Sequence, residues 1–455
     1  MSTNRVKRIV ILGGGFGGMY AALELEKSLA RDPDVEVTLV NRENFFLFTP
    51  MLHEVAASDL DFTHIVNPVR KLLRRVKFFS GGVERIDLEE RLVTVSHGDE
   101  HHHHELRYDH LVLALGSVTN FFGLPGLEER AMTMKSLGDA IGLRNHMVKN
   151  LEEADFECCP KTRETLLTFV VAGGGFAGVE TVAAMNDFLR EAVEFYPHLD
   201  ESMLRVVLVH PGSVVLPELS ESLGRYAGEK MRARGVEIKA GTRVKSVSDT
   251  GVELSDGSMI PTNTLVWAAG TAPNPKLADL PCAKVRGRVR VNEFLEVEDH
   301  PGVWALGDCA DVPDLTTGKS CPPTAQHALR QGKVIAENIT AALRGGRKRK
   351  FVFATIGQLA SIGKRTGVAQ IFGHNFSGFV AWLMWRTIYL SKLPRFEKKF
   401  RVALDWTLDV LFAKDLVQFT APREQFLAHL PKMGEEMRSG LGGKRDHAAS
   451  MAAAA

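Results

Sequence analysis

The sequence predicts an α/β fold with two Rossmann-like domains followed by a mainly helical C-terminal region, and three observations carry that prediction. They are the stretch "ILGGGFGGMY" (11–20), its counterpart "VVAGGGFAGVE" (170–180), and an aromatic-rich segment, "SGFVAWLMWRTIYLSKLP" (377–394). Each glycine stretch follows a continuous apolar run, the pattern of a strand buried on both faces of a parallel sheet.

In the first element, Arg8–Leu12 reads as a strand, Gly13-x-Gly15-x-x-Gly18 as a turn and Met19–Leu29 as a helix. Such a turn, here including Phe16 and Gly17, lets the backbone approach a pyrophosphate whose charge sits at the helix N-terminus. Gly18 allows close helix–strand packing. A second strand, Val35–Val40, ends at Asn41 and Arg42, where an acid would hydrogen-bond an adenosine ribose. The second element repeats the plan. Thr168–Ala172 is the strand, Gly173-x-Gly175-x-x-Gly178 the turn, with Phe176 and Ala177 inside it, and Val179–Arg190 the helix. The next strand, Arg205–Val209, ends at His210, again not an acid. One such motif is a weak signal, with a plain tight turn as its alternative. Two, each flanked by strand and helix, predict two dinucleotide-binding domains. Two dinucleotides in one chain imply electron transfer between them, and FAD with a nicotinamide nucleotide is the natural pair.

Composition narrows the class. A length of 455 residues allows two or three domains, and a net charge of +1 gives no basic field, so no nucleic-acid partner is expected. The five cysteines form no CxxC pair and no metal-ligand spacing, which points to a reducing compartment and no metal site. Cys158 and Cys159 are expected in a linker, while Cys309 and Cys321 are the thiols that could approach a flavin. His101–His104 are expected at a solvated hairpin tip. The first strand begins too early to leave a signal peptide, and no run of 18 apolar residues exists, so no spanning helix is expected.

The chain resembles the two-dinucleotide flavoproteins and, among them, the type II NADH dehydrogenases, single-chain NADH:quinone oxidoreductases that pump no protons. The motifs carrying the resemblance are "FLFTPMLHEVA" (46–56), "YDHLVLALGS" (108–117), "FYPHLDESMLRVVLVHPG" (195–212), "WAAGTAPNP" (267–275), "VWALGDCA" (303–310), "PPTAQHALRQG" (322–332) and "ALDW" (403–406). The resemblance implies FAD at the first turn, with Asp308 accepting hydrogen bonds from the ribityl chain, and NADH at the second. Thr49, Pro50, Gly116 and Gly270 are placed at the cofactors in the same way. Glu180 is matched to a glutamate that orients the nicotinamide carboxamide, although a helix-start Glu facing the dipole is the plain alternative. Ala325 and Gln326 are expected to start a short helix at the flavin's pyrimidine edge, with Gln326 lining the pocket of a membrane quinone, ubiquinone or menaquinone. Arg330 stands where the family has a second glutamine. It reads either as a quinone donor or as a surface Arg. With His210 at the ribose position and Arg205 and Arg225 nearby in sequence, NADPH stays open beside NADH.

These assignments divide the chain into an FAD-binding part (1–125), an NAD(P)H-binding domain (126–279), a returning FAD-binding part (280–345), a membrane-association or dimerisation region (346–435) and a disordered tail (436–455). In the C-terminal region, apolar residues at 396, 400, 404, 408, 411 and 412 form one helical stripe, with Val402, Trp406 and Val410 roughly opposite. A helix apolar on two sides suits an element wedged between protein and lipid, or between two subunits of a homodimer. Lys398, Lys399 and Arg401 are expected to meet anionic lipid headgroups, with peripheral attachment at the cytoplasmic face of the inner (plasma) membrane. The rival readings are a soluble NAD(P)H reductase of a protein or sulfur substrate and a nucleotide-sensing flavoprotein.

Overall fold

The computed structural model describes residues 6–98 and 102–418, so His101 and the tail 436–455 lie outside the described residues. Two parallel sheets organise the chain. The first has five strands, in the order Val303–Ala305, His110–Leu113, Lys7–Leu12, Val35–Asn41 and Lys77–Ser80. Every neighbouring pair in it is parallel. The late strand Val303–Ala305 thus completes a sheet begun by the first glycine motif. The second sheet, also parallel, runs Val236–Ala240, Arg205–His210, Thr168–Ala172 and Thr264–Trp267. A two-stranded link, Ser117–Thr119 against Thr271–Pro273, joins the halves. The strand before the second glycine motif, Thr168–Ala172, is buried end to end and Arg205–His210 in all but its first residue, as Val/Ile/Leu runs in doubly covered parallel sheets are.

The two glycine-turn helices, Phe16–Ser28 and Phe176–Ala192, start earlier than the sequence suggests. The reason is steric. Gly18 and Gly178 lie inside the first helical turn, where a Cβ would collide with the Gly13 and Gly173 carbonyl oxygens. The helix that opens at Ala325 is also not short. It runs 20 residues to Arg344, capped by the Thr324 hydroxyl and ended by Gly345 in the left-handed conformation. Its Gly332 rides directly on Gly17 of the first helix, so the two helices cross at backbone distance and fix where Ala325 lies.

The C-terminal region begins with a three-stranded antiparallel sheet, Gly357–Ser361, Gly367–Ile371 and His374–Ser377, which the mainly helical expectation left out. Two helices follow, Gly378–Lys392 and Phe396–Leu411. His102–His104 belong to a strand arm, His102–Arg107, not to a hairpin tip, and His97 pairs across from His102. Among the described residues no group of three potential ligands could hold a metal ion.

Candidate active site

The first glycine turn leaves its helix N-terminus open. Gly15, the N-cap, has no side-chain cap, and a Cβ there would meet nothing within 4 Å. Gly13, at φ +104°, takes a conformation side chains rarely adopt, beneath the Ala114 carbonyl. The Gly13 N–H is used on the Val40 carbonyl, so it is the first-turn N–H groups of the helix, uncapped by any side chain, that suit an anionic pyrophosphate.

The strand-end residues do a different job from the one their positions suggest. Asn41 Oδ1 accepts from the Gly14 N–H at 2.8 Å, and its amide donates to the Glu43 carbonyl at 2.8 Å. In the second half His210 Nδ1 accepts from the Gly174 N–H at 3.1 Å. Two chemically unlike side chains thus pin the middle glycine of each turn. Burial holds the His210 imidazole below its usual range, so it is neutral at pH 7. Arg205 and Arg225 are not free to meet a 2′-phosphate either. Arg205 pairs with Glu237 at 2.9 Å and Arg225 with Glu221. Instead Glu218 faces the second turn, its Oε1 3.2 Å from where a Gly175 Cβ would stand.

Asp308 sits on the turn Gly307–Cys309, made possible by Gly307 at φ +66°. The Gly307 N–H donates to Gln331 Oε1 at 2.8 Å, and Ser117 Oγ donates to Asp308 Oδ2 at 2.8 Å. Gln331, next to Arg330 in sequence, therefore faces away from the cavity and holds this turn. Gly116, at φ +66°, opens onto free space, whereas Gly270 is packed under the Phe122 ring. Arg42 and Thr49 are exposed.

A cavity of about 460 Å³ is lined by residues of both glycine-turn helices. Phe16 and Phe176, the first helical residue after each glycine turn, both line it, with Pro50, Gln326, Arg330 and Tyr389. Gln326 Nε2 donates to the Gly357 carbonyl at 2.8 Å. Arg330 stacks its guanidinium 4.0 Å over the Phe353 ring and donates to the Gln326 carbonyl at 2.8 Å.

Glu180 is buried and lines a separate, smaller pocket together with His53, Glu54, Asp59 and Arg386. Its Oε1 accepts from Trp385 Nε1 at 2.9 Å and from the Ser361 N–H at 3.2 Å, and its Oε2 lies 3.9 Å from His53 Nδ1. Desolvation pushes its carboxyl up to about 8, while burial pushes His53 down to about 3. Glu54 is raised to about 8 by the same cause, though it lies near Arg386 and accepts from Trp406 Nε1 at 3.2 Å. Arg386 lies between Trp382, at 4.2 Å, and Trp406, at 4.6 Å. Burial raises Cys309 and Cys321 to about 11, and Cys158 and Cys159 are exposed.

Comparison with known proteins agrees with this geometry. The sequence model of the pyridine nucleotide-disulphide oxidoreductases matches residues 7–332, and that of the NDH2 C-terminal domain matches residues 356–415. The chain is 33% identical over 423 residues to the type II NADH:quinone oxidoreductase Ndh of Mycobacterium tuberculosis, covering 90% of this chain and 89% of that one. The chain belongs to the type II NADH dehydrogenase family. A probable NADH dehydrogenase of Dictyostelium discoideum is 31% identical, over 91% of both chains. In fold, NDH2 of Plasmodium falciparum solved with NADH superposes with a TM-score of 0.85 at 20% identity, over 91% of this chain and all of that one. For a type II NADH dehydrogenase the residues present fit both nucleotides: each turn is a glycine cradle that any Cβ would fill, with an uncapped helix behind it.

Proposed function

We propose that the chain is an FAD-dependent NADH:quinone oxidoreductase. The observation that carries this reading is a cavity lined by Phe16 and Phe176, which open the helices after the two glycine turns, and by Ile388 and Tyr389 of the first C-terminal helix. A dinucleotide donor, a flavin and an acceptor can meet there within one fold. FAD, when bound, supplies the two-electron chemistry between a hydride donor and a quinone. The chain supplies position and exclusion of water.

Glu180 works from the nicotinamide side. With its carboxyl raised to about 8, it is largely a neutral acid at pH 7 and can donate to the carboxamide oxygen as well as accept from its N–H. Trp385 and the Ser361 N–H fix its first oxygen and leave the second for the ligand. On the acceptor side Gln326 is tethered to Gly357, which orients its amide oxygen, and Arg330 offers the guanidinium protons not used on Gln326. NADH is the donor, because the nearby cations are already paired and Glu218 faces the turn. A carboxylate there opposes a 2′-phosphate.

Attachment to a lipid surface follows from the outward face. Phe396, Phe400, Leu404, Leu408, Leu411 and Phe412 are all exposed, while Val402 and Trp406 are buried beneath them; Val410, expected on the buried side, is exposed near the helix end. Lys398 does not join this surface, since it turns inward to the Thr63 carbonyl at 2.6 Å. Lys399 and Arg401 stay at the rim, on the Ser391 carbonyl and on Glu397. None of the described helices is long and apolar enough to cross a membrane, in keeping with monotopic attachment. A homodimer closing on the same stripe is the second reading, favoured by the groove between the two helices.

The deciding experiment is quinone-dependent oxidation of NADH by the purified protein, followed at the nicotinamide band. A yellow protein whose flavin bleaches anaerobically with NADH and recovers on adding quinone is expected. A colourless protein after reconstitution, or a flavin that stays oxidised with NADH, rejects the reading.

A further inference from the structure

Lys135 lies outside both glycine turns and outside every motif, yet its surroundings are built with care. It precedes the helix Leu137–Phe156, whose start carries a full capping box between Ser136 and Asp139. Asp139 Oδ2 also accepts from the Lys135 N–H at 2.8 Å and from Thr133 Oγ1 at 2.9 Å, so the Lys135 backbone is held rigidly. From there the side chain crosses to the FAD-side link. Its Nζ donates to Ser117 Oγ at 3.2 Å and to the Ser117 carbonyl at 3.4 Å. Ser117 in turn donates to Asp308. Burial lowers the Lys135 ammonium while Asp308 and Asp139 hold it up. Desolvating a lysine is costly, and a lysine with no task here would stay in water.

We propose that Lys135 is a further cofactor-positioning residue: through Ser117 it fixes Asp308, and its charge offsets the negative charge a bound flavin gains on reduction. This rests on the reading of Asp308 as the flavin-site carboxylate. A fixed cation at a partly buried site favours the reduced form, and with it hydride acceptance. It also ties the nucleotide-side connector to the flavin side, across the link Ser117–Thr119 and Thr271–Pro273.

The test uses the full-length holoprotein with Lys135→Met, Lys135→Arg, Ser117→Ala and Asp308→Asn. Two quantities are read, FAD retention on dilution and the two-electron midpoint potential by dye equilibration. Lys135→Met is expected to hold FAD at least tenfold more weakly. Its potential is expected to fall by about 30 mV for each tenfold loss in reduced over oxidised flavin binding. Lys135→Arg restores both, and Ser117→Ala shifts both in the direction of Lys135→Met. Wild-type retention and potential in Lys135→Met overturn the inference. Should that variant not fold, unchanged values in Ser117→Ala overturn it equally. If Asp308→Asn loses FAD while the others match wild type, Lys135 alone is misassigned. If Asp308→Asn keeps FAD as wild type does, the Asp308 seat falls and the inference with it.

Discussion

Replacing Phe396 and Phe400 together with serine tests how the protein meets its quinone. The two rings are 82% and 63% exposed on the outer face of the helix Phe396–Leu411. Transferring a fully exposed Phe side chain from water to an apolar phase is worth roughly 1.5–3 kcal/mol. Scaled by these exposures, the pair contributes about 3 kcal/mol to insertion. At about 1.4 kcal/mol per factor of ten, the double variant should bind vesicles roughly 100-fold more weakly. Folding should hardly change, because exposed substitutions of this kind usually fall within about 0.5 kcal/mol. The assay is flotation with vesicles of mixed zwitterionic and anionic lipid, beside NADH oxidation with a water-soluble quinone as a control for the intact site. The soluble activity should persist while activity with a vesicle-embedded quinone falls. Unchanged flotation in a folded variant refutes the membrane reading of the stripe. If flotation is unchanged and a wild-type dimer becomes monomeric, the stripe is a subunit interface.

Four further outcomes are expected. Gly178→Ala drives a Cβ into the Gly173 carbonyl; it should destabilise by roughly 1–3 kcal/mol and raise KM for NADH, read by chemical denaturation and steady-state kinetics. Glu218→Gln removes the carboxylate facing the second turn, so the ratio of kcat/KM for NADPH over NADH should rise several-fold, and an unchanged ratio would clear Glu218 of a role in nucleotide choice. Arg330→Gln leaves the fold intact while changing KM for quinone more than KM for NADH, as its place on the acceptor side of the cavity requires. Glu54 keeps its proton in the folded state up to about 8 but loses it near 4.5 when unfolded, so wild-type stability falls as pH rises between those values. Glu54→Gln should therefore stabilise more at pH 8 than at pH 5, by on the order of 1 kcal/mol or more in urea titrations at the two pH values.

The turns were readable because their chemistry is local. Strand, glycines and helix lie within some twenty residues, and the strand Thr168–Ala172 falls where the apolar run places it. What each side chain touches was not local. His210 is visible as a strand end that lacks an acid, but its use as a clamp on Gly174 depends on a contact 36 residues away, and Asn41 performs the same task with different chemistry. Lys398 belongs to a basic cluster in sequence, yet the docking of its helix on residues 54–64 turns it inward. Glu180 is visible in sequence as a position just past the second glycine turn, but its protonation depends on burial under Trp385 and the strand ending at Ser361, which no spacing near residue 180 announces. Gln331 sits inside a motif that gives it no role, and Lys135 lies in none. Only long-range backbone geometry brings them to the turn bearing Asp308.

The helix Gly378–Lys392 shows why acceptor access and surface attachment cannot be separated by truncation. It has 15 residues, about 22 Å of rise, against a hydrocarbon thickness of about 30 Å. It is nevertheless apolar on most sides because it serves three neighbours. Phe379, Val380 and Leu383 face outward. Trp385 turns inward and bonds Glu180. Ile388 and Tyr389, one turn further on, line the cavity, and burial raises the Tyr389 phenol above its usual range. Removing residues 377–455 would strip the exposed apolar stripe, but it would also strip Trp385, which donates to Glu180, and Ile388 and Tyr389 from the cavity wall. Loss of activity in such a truncation says nothing about membranes. Point changes confined to the outward face leave Trp385 and Tyr389 in place, so they alone separate reaching the lipid from reducing the quinone.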